Sequence, residues 1–141
     1  MKRRLFLGAG IAGLSSSILT SCNFSTTSQA GESTKNQGTI VHQVYFWLKE
    51  GITSEEEKDF LEFFKILKTV PGIKTFTVGK PASTNPRPVV DNSFSYSITV
   101  TFDNLADINV YETHSIHTEA VAAYSKYWTK VEVKDSEIIE F

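Results

Sequence analysis

The chain has 141 residues, enough for one ordinary domain, and its 14 basic and 16 acidic side chains give a formal net charge of −2. Three of the basic residues lie at positions 2–4, so the remainder of the chain is more acidic still, and its only arginine is Arg87. This balance disfavours nucleic-acid binding, which needs a basic surface. The single cysteine, Cys22, excludes an internal disulfide and a cysteine-based metal cluster.

Residues 1–22 have the features of an export signal. A basic start at positions 2–4 is followed by an uncharged run from Leu5 to Leu19, which is too short for a membrane span and typical of a signal peptide. The run ends in Leu19-Thr20-Ser21-Cys22, which resembles the bacterial lipoprotein signal, whose cysteine is acylated. We therefore predict export to the bacterial cell envelope and a lipid anchor on Cys22 that holds the protein at a membrane. A plain secretory signal is the alternative.

The segment before the folded domain has two further features. Arg3-Arg4-Leu5-Phe6-Leu7 resembles the twin-arginine export pattern, with Gly8 in the place of the usual lysine, and a generic basic start is the alternative. Residues 23–38 are dominated by Ser, Thr, Gln, Gly and Asn, a composition that predicts a disordered polar tether. The folded domain is then expected over residues 39–141.

The domain opens with a predicted strand from Ile40 to Lys49, rich in β-branched and aromatic residues. Alternation divides its side chains between one face with His42, Val44, Phe46 and Leu48 and another with Val41, Gln43, Tyr45 and Trp47. Because both faces are mostly apolar, we expect both to be covered.

The next segment predicts an amphipathic helix. Two overlapping capping boxes mark its start, Thr53 with Glu56 and Ser54 with Glu57. The helix carries one apolar stripe, formed by Phe60, Phe63, Phe64 and Leu67. It is expected to end at Val70-Pro71-Gly72.

The remaining elements complete a duplicated β-α-β order. We predict strands at Ile73–Val78, Phe94–Phe102 and Thr129–Ser136, a loop at Lys80–Ser93, a short helix capped by Asp103 or Asn104, and a helix from about His114 to Tyr127. The order strand, helix, strand, strand, helix, strand predicts a ferredoxin-like α+β fold with a four-stranded antiparallel sheet and helices on one face. An apolar second face of that sheet favours a partner sheet, most simply a second copy of the chain.

The three histidines of the chain are His42, His114 and His117, and Tyr111 lies near the last two. On a continuous helix His114 and His117 would share a face, whereas Tyr111 and His117 would not, unless the helix breaks near Ser115. Three interpretations stay open. These residues could bind a metal, do general acid–base work, or satisfy hydrogen bonds where a helix meets the sheet.

Several segments together resemble the stress-responsive α/β-barrel (Dabb) family. They are residues 41–49, Pro71-Gly72, Gly79, the pattern Tyr111-x-x-His114-x-x-His117 and the closing residues 131–135. The resemblance spans nearly all of residues 40–136 and implies a ferredoxin-like protomer that dimerises face to face into an α+β barrel. Ser115 stands where the family often has proline.

The resemblance also implies a site. In the plant polyketide cyclases of this family a first-strand histidine, a tyrosine and a later histidine line the pocket, and by position these are His42, Tyr111 and His117. His117 would be the base, and His42 and Tyr111 would orient or polarise a carbonyl, without a redox cofactor. Phe64 stands where the cyclases carry a tyrosine. We also expect His114, Phe46 and Phe64 to lie at the ligand pocket, and we expect no metal.

These observations leave more than one function open. The first is binding of a small apolar or aromatic ligand in a His/Tyr-lined pocket of a homodimer, with lyase-, isomerase- or cyclase-like acid–base activity where it is an enzyme. The second is a non-enzymatic, stress-related or protein-interaction module of the cell envelope. A third is a related dimeric barrel that handles haem or acts as a cofactorless monooxygenase. We expect no cofactor and no nucleic-acid partner.

Overall fold

A computed structural model describes residues 38–141. The predicted signal peptide, the acylated Cys22, the twin-arginine pattern and all but the last residue of the tether lie outside the described residues, and they stay predictions. Within the described part, no helix is long and apolar enough to cross a membrane.

Four strands and three helices follow one another in the predicted order. They are β1 (Ile40–Leu48), α1 (Ser54–Leu67), β2 (Thr75–Gly79), β3 (Tyr96–Phe102), α2 (Leu105–Thr113), α3 (Ser115–Tyr124) and β4 (Trp128–Glu137), with a 3₁₀ turn at Ser125–Tyr127. The strands form one antiparallel sheet in the order β2-β3-β1-β4. This is the ferredoxin-like α+β arrangement, as predicted. The last two strands begin at Tyr96 and Trp128, whereas Phe94 and Thr129 were predicted.

The start of α1 is fixed by its own side chains. The Thr53 hydroxyl accepts from the backbone N–H of Glu56 at 3.2 Å, and the Glu56 carboxylate accepts from the backbone N–H of Thr53 at 2.8 Å. One of the two predicted capping boxes is therefore formed, and it satisfies two backbone donors that would otherwise lack partners.

The core lies between the helices and one face of the sheet. The ring of Phe46 on β1 packs against three rings of α1, with centroid distances of 5.8 Å to Phe60, 5.8 Å to Phe63 and 5.6 Å to Phe64. All four rings are at most 3 % exposed. An aromatic cluster of this size supplies much of the apolar burial that holds a small domain together.

The opposite face of the sheet carries no helix among the described residues. Its β1 side chains, Val41, Gln43, Tyr45 and Trp47, are half-buried. Charged side chains of β4 cover part of this aromatic surface, since the Lys130 ammonium lies 3.9 Å from the ring centroid of Trp47. This surface is called the outer face below.

Candidate functional site

A break between α2 and α3 brings Tyr111 and His117 together. His114 has an extended backbone, with φ −64° and ψ 139°, and its Nδ1 accepts from the backbone N–H of Ile116 at 3.2 Å, so it caps α3. The ring centroids of Tyr111 and His117 lie 4.7 Å apart. On one continuous helix, residues six positions apart lie on different faces. The two side chains can meet because the helix breaks near Ser115, as their pairing requires.

His42 joins them from the neighbouring strand. Its ring centroid lies 5.9 Å from that of Tyr111, and the residue is 6 % exposed. The antiparallel register places Asp135 of β4 directly beside it, and His42 Nδ1 lies 2.7 Å from a carboxylate oxygen of Asp135. An ionised carboxylate only accepts, so Nδ1 of His42 carries the proton. When the ring carries no second proton, its Nε2 atom is an acceptor.

His117 is oriented in the same way by a different group. Its Nδ1 donates to the backbone carbonyl of Glu112 at 3.1 Å, which leaves Nε2 as the acceptor. Burial lowers the pKa of His117, the hydrogen bond to Glu112 opposes this, and the charge of a protonated His42 lowers the pKa further. His117 is therefore neutral at physiological pH and can act as a base.

The pKa of His117 predicts a pH dependence of stability. An unfolded histidine titrates near 6.5, above the pKa of the folded one. Between these two values the unfolded chain binds more protons, so the stabilising contribution is complete above about pH 6.5 and is lost as the pH falls to the folded pKa. We expect the free energy of unfolding of the His117→Asn variant to fall less than that of the wild type between about pH 7 and 5. Urea titrations check this, and an equal or steeper fall in the variant would contradict it.

Tyr111 lies between the two imidazoles and is fully buried, with 0 % exposure. Its hydroxyl has no hydrogen-bond partner among the described residues. Burial, and to a smaller extent the charge of Glu112, raise the pKa of Tyr111 far above its usual value, so the hydroxyl stays protonated. A buried, protonated and unpartnered hydroxyl is an unused hydrogen-bond donor inside the folded protein.

The side chains of His42, Tyr111 and His117 line one end of a cavity of about 450 Å³. The rest of the lining is mostly apolar and includes Val44, Phe46, Phe63, Ile98, Val131 and Val133. The two β4 valines are 38 % and 48 % exposed although they belong to the helix-side face of the sheet, so they form the open rim of the cavity. An apolar cavity of this size with a few convergent polar groups is typical of small-molecule sites.

The cavity departs from the predicted lining at two positions. Phe46 lines it, but Phe64 lies in the aromatic core and His114 caps α3, and neither contributes to the cavity wall. Phe63 lines it where Phe64 was expected, because the two adjacent residues of α1 point in different directions and spacing alone does not say which one faces the cavity. No sequence pattern predicts the roles of Glu112 and Asp135 at this site.

The same geometry changes which residues could bind a metal. His114 uses its Nδ1 in the cap, so the His114-x-x-His117 spacing does not form a chelating pair on one helix face. Among the described residues, the ligand atoms that gather within 4.8 Å of one another belong to His42, Glu112 and Asp135. The His42–Asp135 hydrogen bond already accounts for the approach of two of them.

Comparison with known proteins agrees with this fold. Residues 40–138 match the Stress Responsive A/B Barrel Domain (Dabb) family. Among curated proteins, none matches the chain significantly. A Dabb family protein with a ferredoxin-like fold from Mesorhizobium loti is similar at 27% identity and a TM-score of 0.61, over 74% of this chain and 100% of that one.

Two other solved structures illustrate the range of similar proteins. A dimeric protein of unknown function and ferredoxin-like fold from Bacteroides fragilis shares 25% identity at a TM-score of 0.56, over 72% of this chain and 98% of that one. The hydroxynitrile lyase of Passiflora edulis shares 16% identity at a TM-score of 0.62, over 74% and 97%, a likeness of fold alone. Since the family match covers most of the sequence, the chain belongs to the Dabb family.

Proposed function

We propose that the cavity binds a small apolar or aromatic molecule with a hydroxyl or carbonyl group at the His42–Tyr111–His117 end. The observation that carries this proposal is the Tyr111 hydroxyl, which is buried without a partner on a ring that packs against two imidazoles. Leaving such a group unpaired costs about 1–3 kcal/mol, a cost that a ligand oxygen would remove. The apolar remainder of the cavity would hold the body of the molecule.

The same groups suit acid–base chemistry. Nε2 of His117 would take a proton from a hydroxyl or from a carbon beside a carbonyl, and the Tyr111 hydroxyl would donate to the oxygen on which negative charge develops. His42, fixed by Asp135, would orient that oxygen. Reactions of the lyase, isomerase or cyclase kind can use a base and a hydrogen-bond donor of this sort, and the Passiflora protein, of similar fold, is a lyase. The proposal for this chain rests on its own residues.

A thermal-shift experiment tests the pocket. We expect some members of a panel of aromatic alcohols and β-dicarbonyl compounds to raise the melting temperature of the wild-type protein. A ligand at about 100 times its dissociation constant adds about 2.7 kcal/mol to the free energy of unfolding. The His117→Asn variant keeps an N–H near the Glu112 carbonyl but lacks the Nε2 acceptor, so the same compounds should stabilise it less. Equal stabilisation of both proteins would remove His117 from the site.

We also propose that the outer face of the sheet packs against a second copy of the chain. Val41, Tyr45 and Trp47 give this face an apolar strip that no helix covers in the described part. The similar protein from Bacteroides fragilis is itself dimeric. A closed two-fold dimer through this face would bury the strip and leave the cavity, which lies on the other side of the sheet, in each protomer.

A charge in the middle of the outer face should prevent this association. Thr99 lies at the centre of β3, opposite Gln43 of β1 and Thr77 of β2. We expect sedimentation to give twice the chain mass for the wild type and for Ala122→Arg, a control on the exposed side of α3, and a single chain mass for Thr99→Arg. A Thr99→Arg protein that stays dimeric would exclude this face as the interface.

A further inference from the structure

The polar end of the cavity is rich in acceptors. Nε2 of the neutral His117 accepts, because its Nδ1 donates to the Glu112 carbonyl, and Nε2 of His42 accepts when that ring carries no second proton. The Glu112 carboxylate adds a further acceptor, and one of its oxygen atoms lies within 4.8 Å of a His42 ring nitrogen. Tyr111 supplies a hydroxyl donor. A ligand hydroxyl at this end can donate to these acceptors and can also accept from Tyr111.

The same end is also negatively charged. Within residues 38–141, no lysine or arginine lines the cavity, and Glu112 is the only carboxylate that does. Among the described residues the Glu112 carboxylate has no cationic partner, whereas Asp135 pairs with His42. An anionic ligand head would meet like charge there without a cationic side chain beside it.

We propose that Glu112 makes the pocket selective by charge, so that it admits an uncharged, hydroxyl-bearing apolar compound and rejects the carboxylate of the same shape. This inference rests on the proposed function, since it concerns the ligand of the same pocket. The backbone carbonyl of Glu112 orients His117, and its side chain adds the charge at the rim. One residue thus contributes to the site through its main chain and its side chain separately.

Because the backbone carbonyl of Glu112 and its side-chain charge have different roles, a substitution can remove the charge alone. Glu112→Gln removes the charge and keeps the backbone carbonyl, so the His117 hydrogen bond is retained. Glu119→Gln removes the same charge from an exposed position of α3 that does not line the cavity, and it serves as the matched control.

Calorimetric titration of the full-length protein with 2-naphthalenemethanol and 2-naphthoate tests the inference. We expect the wild type to bind the alcohol up to about fivefold more tightly than the acid. The dissociation constant of the acid divided by that of the alcohol should fall towards one in Glu112→Gln and stay unchanged in Glu119→Gln. In the wild type the ratio should also shrink as salt is added, because charge repulsion at an exposed rim is screened.

Other results would contradict the charge selectivity, the role of Glu112 or the pocket itself. Equal binding of alcohol and acid to the wild type would overturn the charge selectivity and leave the proposed pocket intact. A ratio that is insensitive to Glu112→Gln, or that changes equally in Glu119→Gln, would exclude Glu112 as its cause. If neither compound binds the wild type, and no member of the panel of aromatic alcohols and β-dicarbonyl compounds binds it, the proposed function is wrong. The inference, which rests on it, is then wrong as well.

Discussion

Replacing Tyr111 by Phe should stabilise the fold and weaken ligand binding at the same time. The hydroxyl is buried without a hydrogen-bond partner among the described residues, so the folded protein bears the cost of removing it from water. Deleting the hydroxyl removes a cost of about 1–3 kcal/mol and leaves the ring in place. For a domain of about 100 residues, each kcal/mol corresponds to roughly 4–8 °C in melting temperature.

Tyr111→Phe should weaken ligand binding because it removes the same hydroxyl. A ligand oxygen that accepts from the Tyr111 hydroxyl gains about 0.5–1.5 kcal/mol from that bond, or up to about tenfold in affinity. Melting curves and titrations of wild type and Tyr111→Phe measure both effects. Tyr124→Phe is the control, because Tyr124 is half-buried on α3 and does not line the cavity. A lower melting temperature for Tyr111→Phe would show that its hydroxyl is satisfied in the folded protein, and an unchanged affinity would remove it from the site.

The sheet could be predicted from the sequence because its strands have a clear period of two. In β3, the residues Tyr96, Ile98, Val100 and Phe102 are buried and the intervening hydroxyl residues are half-buried, as alternation predicts. The capping box and apolar stripe of α1 carry the same kind of local information. Such signals depend on neighbours a few residues apart, which a single sequence contains.

The site depends on contacts that no local pattern contains. Asp135 reaches His42 only because β4 pairs with β1 in one particular register, 93 residues away along the chain. A slip of one residue would place its carboxylate on the outer face. The Glu112 carbonyl becomes the partner of His117 only because α2 ends and α3 begins between them. The sequence could identify the candidate side chains, and the tertiary structure decides which groups orient them.

Truncation of Phe60 to Ala should have the largest effect on stability. Phe60 is 0 % exposed, and its ring centroid lies 4.9 Å from that of Phe64, 5.6 Å from Tyr96 and 5.8 Å from Phe46. Removing a buried phenylalanine side chain costs about 3–5 kcal/mol in lost burial and cavity formation. The total stability of a domain of this size is about 5–15 kcal/mol, so much of it should disappear. Leu61→Ala, at a half-buried position one residue later on α1, should cost clearly less.

The Phe60→Ala variant also tests whether the aromatic core maintains the shape of the cavity. Phe60 does not line the cavity, but it packs against Phe46 and Phe63, which do. If those two rings are held in place by Phe60, the variant should bind the ligand more weakly even at a temperature where it is fully folded, because part of the binding free energy then goes into ordering the cavity wall. Denaturant titration gives the stability and calorimetry on the folded protein gives the affinity. A large loss of stability with unchanged affinity would mean that the cavity wall keeps its shape without the aromatic core beneath it.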